Sequence, residues 1–132
     1  MAVSDESPSH HRHFTIEEAG AELPRLRPLL QELRAAKADL TDSEAHQALA
    51  AAAPTNGGGA HGAQVGGAFI EVRRLLLELG EIGVVVRDID RGLIDFPAYR
   101  DGREVYLCWH LGEREVTTWH EIDAGFANRR RL

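Results

Sequence analysis

The sequence predicts an α+β domain: an N-terminal antiparallel helical hairpin followed by a small antiparallel β-meander. Three observations carry this. Leucines recur in steps of three and four through the N-terminal half. That period stops at Val84. Short β-branched and aromatic segments then follow, separated by Gly, Pro and Asp turns. Helices and strands that segregate along a chain, rather than alternate, build α+β domains.

The chain has 132 residues, 15 Lys+Arg against 21 Asp+Glu, and a net charge of −6. Its 43% apolar and 27% charged residues are the balance of a soluble globular domain. The length suits one domain, expected over residues 14–128. No window has the roughly 18 apolar residues of a membrane span. The first fifteen residues lack an apolar core, so no signal peptide is expected. Cys108 is the single cysteine, which excludes an intrachain disulfide and a cysteine-based zinc finger. A cytoplasmic location is the expectation. The acidic balance argues against nucleic acid as a partner.

Residues 1–13, with His10, His11 and His13, read as a disordered tail. Thr15-Ile16-Glu17-Glu18 is a capping box that starts the first helix. Pro24 cannot donate to the Gly20 carbonyl, so a short helix ending near Glu22 is expected. A second would then begin with Pro24 in its first turn. Leu23, Leu26, Leu30, Leu33 and Leu40 form a packing stripe. Residues 41–64 contain an Ala run and Gly57-Gly58-Gly59 and read as a flexible loop. The next helix carries Phe69, Val72, Leu76 and Leu79, widened by Leu75, and ends at Gly80 or Gly83.

Val84-Val85-Val86 reads as a strand. Ile89-Asp90-Arg91-Gly92 is a turn. Leu93 to Phe96 is a second strand, closed by Pro97. Arg100-Asp101-Gly102 is another turn signal. Glu104 to His110 and Glu115 to His120 complete the meander. Residues 129–132 read as a basic, solvated C-terminal tail.

Chemistry-bearing residues concentrate in the β half. Asp88, Asp90, Asp95, His110, Glu113, Glu115, His120, Glu121 and Asp123 all lie there. Imidazole and carboxylates close together serve a divalent metal or acid–base work. The candidate site is His120 with Asp95, Glu113 and Glu121, beside Trp109 and Trp119. Charged residues on a meander more often form its solvated face. Cys108 shares a strand face with His110 and is a candidate nucleophile with His110 or His120 as base. A small buried thiol is the commoner case. Nucleotide-loop, zinc-protease and serine-hydrolase motifs are absent.

Longer segments carry a family resemblance. At the N-terminus these are Phe14-Thr15-x-Glu17-Glu18-Ala19 and Leu23-Pro24-Arg25-Leu26-Arg27-Pro28-Leu29-Leu30. Further on come Gly83-Val84, Asp88-x-Asp90-x-Gly92-Leu93-Ile94-Asp95-Phe96-Pro97 and Val105-Tyr106-Leu107-Cys108-Trp109, then Gly112-Glu113 and Trp119-His120-Glu121. Together they resemble the bacterial family known as domain of unknown function 2203. The resemblance runs from Phe14 to about Arg129, apart from residues 41–64. It implies a small cytoplasmic bacterial protein and carries no activity. The family typically ends Gly-Phe-x-Gly-Arg; Asn128 replaces the second Gly here, and Asn tolerates left-handed backbone.

Two functions are therefore expected. One is a metal-binding protein, of hydrolase type if it is an enzyme, with its site near His120. The other is a non-catalytic interaction module that self-associates or binds a partner through the leucine stripes of its hairpin, which need cover.

Overall fold

A computed structural model of the chain describes residues 10–52 and 58–132. Two helices come first: α1 (Ile16–Ala52) and α2 (Gly58–Ile82). Five strands follow: β1 (Val85–Asp88), β2 (Leu93–Arg100), β3 (Arg103–His110), β4 (Thr118–Glu121) and β5 (Arg130–Arg131). They form one antiparallel sheet in the order β1-β2-β3-β4-β5. The architecture is α+β, with a long helical region preceding the sheet.

The capping box forms at the start of α1. The Glu18 N–H donates to Thr15 Oγ1 at 3.0 Å, and the Thr15 N–H donates to Glu18 Oε1 at 2.9 Å. Hydrogen bonds from the Thr15 backbone N–H and hydroxyl hold the Glu18 carboxyl below its ordinary pKa.

The expected break near Glu22 does not occur. Pro24 and Pro28 both lie inside α1. Each proline costs about 3 kcal/mol in a helix interior. Continuity keeps Leu23, Leu26, Leu30 and Leu33 on one buried face. At roughly 1.5–3 kcal/mol for each buried leucine, that face outweighs two prolines.

The loop expected over residues 41–64 is likewise corrected. Residues 41–52 continue α1 and residues 58–64 begin α2, leaving only 53–57 of that span outside the described residues. Alanine is the best helix former, and the short alanine run propagates a helix already nucleated upstream. The expected tail over residues 1–13 is corrected in its last part, while residues 1–9 lie outside the described residues. His10 Nε2 meets the Tyr106 hydroxyl at 2.7 Å, and Arg12 donates to the Ile82 carbonyl at 2.5 Å. His13 Nε2 meets Glu104 Oε2 at 2.6 Å.

The face of α2 differs from expectation in part: Val72, Leu75 and Leu79 pack on the core as expected, whereas Phe69 and Leu76 do not. Leu75, Leu79 and Ile82 are buried against the α1 leucines, whereas Phe69, Leu76 and Leu77 are exposed. A helix with apolar residues at 69, 72, 75, 76, 77 and 79 offers two stripes of helical period. Contact with α1 selects one of them.

Pro97 lies within β2 rather than ending it. Its carbonyl accepts the Phe14 N–H at 2.7 Å, so its nitrogen faces the same way, away from β3. No ladder bond to β3 is lost, which is where proline is tolerated in a sheet. The start of β4 is also later than expected. Residues 111–117 are irregular, so Glu113 and Glu115 are not on a strand. Within the basic tail Arg130 and Arg131 stay exposed, and they pair with Trp119 and Thr118 at the sheet edge. Gly125 to Arg129 makes a tight turn through Asn128 N–H to the Gly125 carbonyl at 2.9 Å. Asn128 does this without left-handed backbone; among the described residues only Asp101 combines a side chain with positive φ.

Strand alternation sorts the sheet into two faces. Ile94, Phe96, Ala98, Val105, Leu107, Trp109 and Trp119 join the helix leucines in one core. Asp95, Tyr106, Cys108, Thr118 and His120 occupy the opposite face.

Candidate functional site

The site grows from the register of three strands. The turn at Asp101-Gly102 has positive φ at both residues, 53° and 79°, the geometry of a two-residue hairpin. It pairs Arg100 with Arg103 and, five residues up the ladder, Asp95 with Cys108. Across the next ladder Cys108 pairs with Thr118 and Tyr106 with His120. Thr118 Oγ1 donates to the Cys108 carbonyl at 3.0 Å, tying β4 to β3.

Asp95, Cys108 and His120 therefore converge. One ligand atom from each lies within 4.8 Å of the others. Asp95 is 1% exposed, Cys108 1% and His120 3%. The segment after β4 covers them. Ile122, Asp123, Ala124, Gly125 and Phe126 wall a pocket of about 360 Å³, with Arg87, Leu93 and the three site residues on its other side.

The hydrogen bonds define the chemistry. Asp95 Oδ2 accepts from Arg87 Nε at 2.8 Å, and Asp95 Oδ1 lies 3.0 Å from His120 Nε2. His120 Nδ1 lies 2.7 Å from the Glu121 carbonyl oxygen. A carbonyl only accepts, so Nδ1 carries the proton. In a neutral imidazole that leaves Nε2 as an acceptor facing a carboxylate oxygen. Two acceptors at this distance need a proton or a metal ion between them. An Nδ1–H held by a backbone carbonyl is also the arrangement that orients metal-binding histidines.

Burial pushes the Cys108 thiol up to about 12, and the Asp95 carboxylate adds to the rise. The nearby Arg129 offsets only part of this rise, so the thiol stays protonated and is a poor nucleophile. A metal ion reverses this by stabilising the thiolate. Burial pulls the Arg87 guanidinium down, but the hydrogen bond and charge of Asp95, together with Tyr106, outweigh this and keep it above its ordinary value.

Of the residues singled out from the sequence, His120 and Asp95 meet. Glu121 follows His120 on a strand and so points to the other face, where it pairs with Arg103 at 2.9 Å. Glu113 is taken up by the His110 N–H at 3.1 Å and by Arg129 at 3.2 Å. Neither belongs to the three-residue cluster, and Cys108 stands in their place. Its pairing with Asp95 was readable from the Asp101-Gly102 turn by counting back equally on both strands.

A family model described as an uncharacterized conserved protein (DUF2203) matches residues 12–132. No curated protein matches the chain, and no solved structure does. Among the described residues no helix is long and apolar enough to cross a membrane.

Proposed function

On the premise that the chain belongs to the DUF2203 family of uncharacterized conserved proteins, we propose that it binds a divalent metal of the zinc class through Asp95, Cys108 and His120. The carrying observation is the placing of His120 Nδ1, 2.7 Å from the Glu121 carbonyl oxygen. Its Nδ1–H is spent on the Glu121 carbonyl, so its Nε2 lone pair points at the Asp95–Cys108 pair. Imidazole nitrogen, thiolate sulfur and carboxylate oxygen are the ligand types of zinc. Asp95 would give Oδ1 to the ion and keep Oδ2 on Arg87, which fixes its orientation. Three protein ligands beside a pocket leave a position for water or substrate, the pattern of catalytic rather than closed structural sites. The chemistry such an ion supplies is polarisation of a bound oxygen and a lowered pKa for bound water.

The test is metal analysis of untagged protein after equilibration with zinc. About one ion per chain is expected, lost in His120→Ala and Cys108→Ala and kept in Glu113→Gln and Glu121→Gln. Equal metal content in His120→Ala and the parent protein sinks the reading.

A second reading has its own observation. Phe69 and Ile70 on α2 are 57% and 66% exposed, and Leu77, two helical turns further along the same side, is 53% exposed. In this reading α1 and α2 form an antiparallel hairpin whose outer stripe associates with a second copy of the chain. Ile70→Asp with Leu77→Asp then lowers the solution mass to that of one chain. A parent protein that already has that mass removes this reading.

A further inference from the structure

The candidate metal pocket has a neighbour. A second pocket of about 340 Å³ is lined by Arg34, Arg91, His110, Leu111 and Phe126. Phe126 also lines the pocket of Asp95, Cys108 and His120, so one aromatic ring forms a wall of both.

The charges in this second pocket are cationic. Arg34 projects from α1 and has no ion-pair partner among the described residues. Arg91 sits in the β1–β2 turn, only loosely paired with Asp88 at 3.9 Å, and its guanidinium lies 5.5 Å from the Phe126 ring centre. The two elements are held together beside them. Lys37, one helical turn after Arg34, binds Asp90, the neighbour of Arg91, at 2.8 Å. That ion pair fixes α1 against the turn and sets two guanidinium groups around one pocket. His110 is engaged with the protein, its Nδ1 lying 2.7 Å from the Leu111 carbonyl oxygen and its Nε2 3.5 Å from Glu113 Oε1.

We propose that Arg34 and Arg91 bind the terminal phosphate of a small organic phosphate, whose remainder reaches across Phe126 toward the Asp95, Cys108 and His120 centre. Guanidinium forks match phosphate oxygens in paired hydrogen bonds. Two forks arriving from different elements suit a tetrahedral anion, which offers oxygens in several directions, better than a flat carboxylate. An exposed guanidinium with no protein partner has its hydrogen-bonding capacity available to a ligand. The direction of the ligand's remainder rests on the metal reading; the phosphate contact does not.

Calorimetric titration with inorganic phosphate tests this, with acetate as the comparison anion. Saturable phosphate binding, tighter than acetate, is expected for the parent protein. Arg34→Gln and Arg91→Gln should each weaken it by about tenfold, the scale of a charged hydrogen bond. His120→Ala, and parent protein stripped with a chelator, should keep phosphate binding. Metal content measured on the same samples scores the metal reading separately. Phosphate binding that persists in the stripped protein supports the arginine site whether or not the parent holds metal. Undiminished phosphate binding in both arginine variants overturns the proposal, as does equal affinity for acetate. Binding that disappears with the metal also overturns it, because the anion then sits on the ion.

Discussion

His120 Nε2 and Asp95 Oδ1 stand 3.0 Å apart although 25 positions separate them in the chain. They come from β4 and β2, with β3 between. The contact spans a strand because both side chains rise on the same face and lean over Cys108. Arg87 holds the other oxygen of Asp95 from β1. Three consecutive strands thus contribute one residue each to a buried cluster, and β1 adds the partly exposed Arg87 at its edge.

Removing Asp95 should be costly. Asp95→Ala leaves His120 buried with an unmet Nε2 and takes the partner from Arg87. Breaking a buried ion pair from one side typically costs about 3–5 kcal/mol. Because Arg87 is partly exposed, the expected loss is nearer the lower end, about 3 kcal/mol. Urea denaturation of metal-free protein measures it. A change below about 1 kcal/mol would show that the cluster is not coupled to the fold.

Cys108 makes stability depend on pH at the alkaline end. Its pKa in the fold is raised from 9.0 to about 12, so the folded state holds the thiol proton more tightly than the unfolded chain. That contribution is complete below pH 9.0 and is lost as pH rises from 9.0 toward about 12. Cys108→Ala should therefore be less sensitive to pH in this window than the parent protein. The same shift predicts slow reaction of Cys108 with a disulfide reagent near pH 8 in folded, metal-free protein. Rapid labelling without unfolding would contradict it.

Leu75 and Leu76 should separate the two stripes of α2. Leu75 is fully buried and Leu76 is 37% exposed. Leu75→Ala is expected to cost about 2–5 kcal/mol. Leu76→Ala should cost about 1 kcal/mol or less. Comparable losses at the two positions would mean that the contact face of α2 has been assigned wrongly.

Gly92 and Gly102 should respond differently to alanine. Both have positive φ, 61° and 79°. A Cβ at Gly92 would sit 2.5 Å from the Leu111 side chain, whereas one at Gly102 meets nothing within 4 Å. Gly102→Ala therefore carries only the backbone strain, about 1 kcal/mol. Gly92→Ala adds a clash and should cost about 1–3 kcal/mol more. Thermal denaturation of the two variants gives the comparison.

Much of this was legible in local residue chemistry. The Thr15–Glu18 cap follows from two side chains that each reach the other's backbone. The change from helix to strand near Val84 follows from a change of period. The Asp101-Gly102 turn even sets the register that faces Asp95 with Cys108. Each of these depends on residues close in sequence or on counting along a ladder from one known turn.

The rest needed the chain in three dimensions. Whether Pro24 and Pro28 break α1 depends on burial of the leucine face, which only packing supplies. Which of two apolar stripes on α2 is inside depends on where α1 lies. The irregular stretch 111–117 hides the offset of β4, so nothing local says that His120 rather than Glu121 faces Asp95. A shift of one residue on a strand turns every side chain to the other face. For that reason helix caps, turns and strand positions could be read from order alone, while the membership of the site was decided by tertiary register.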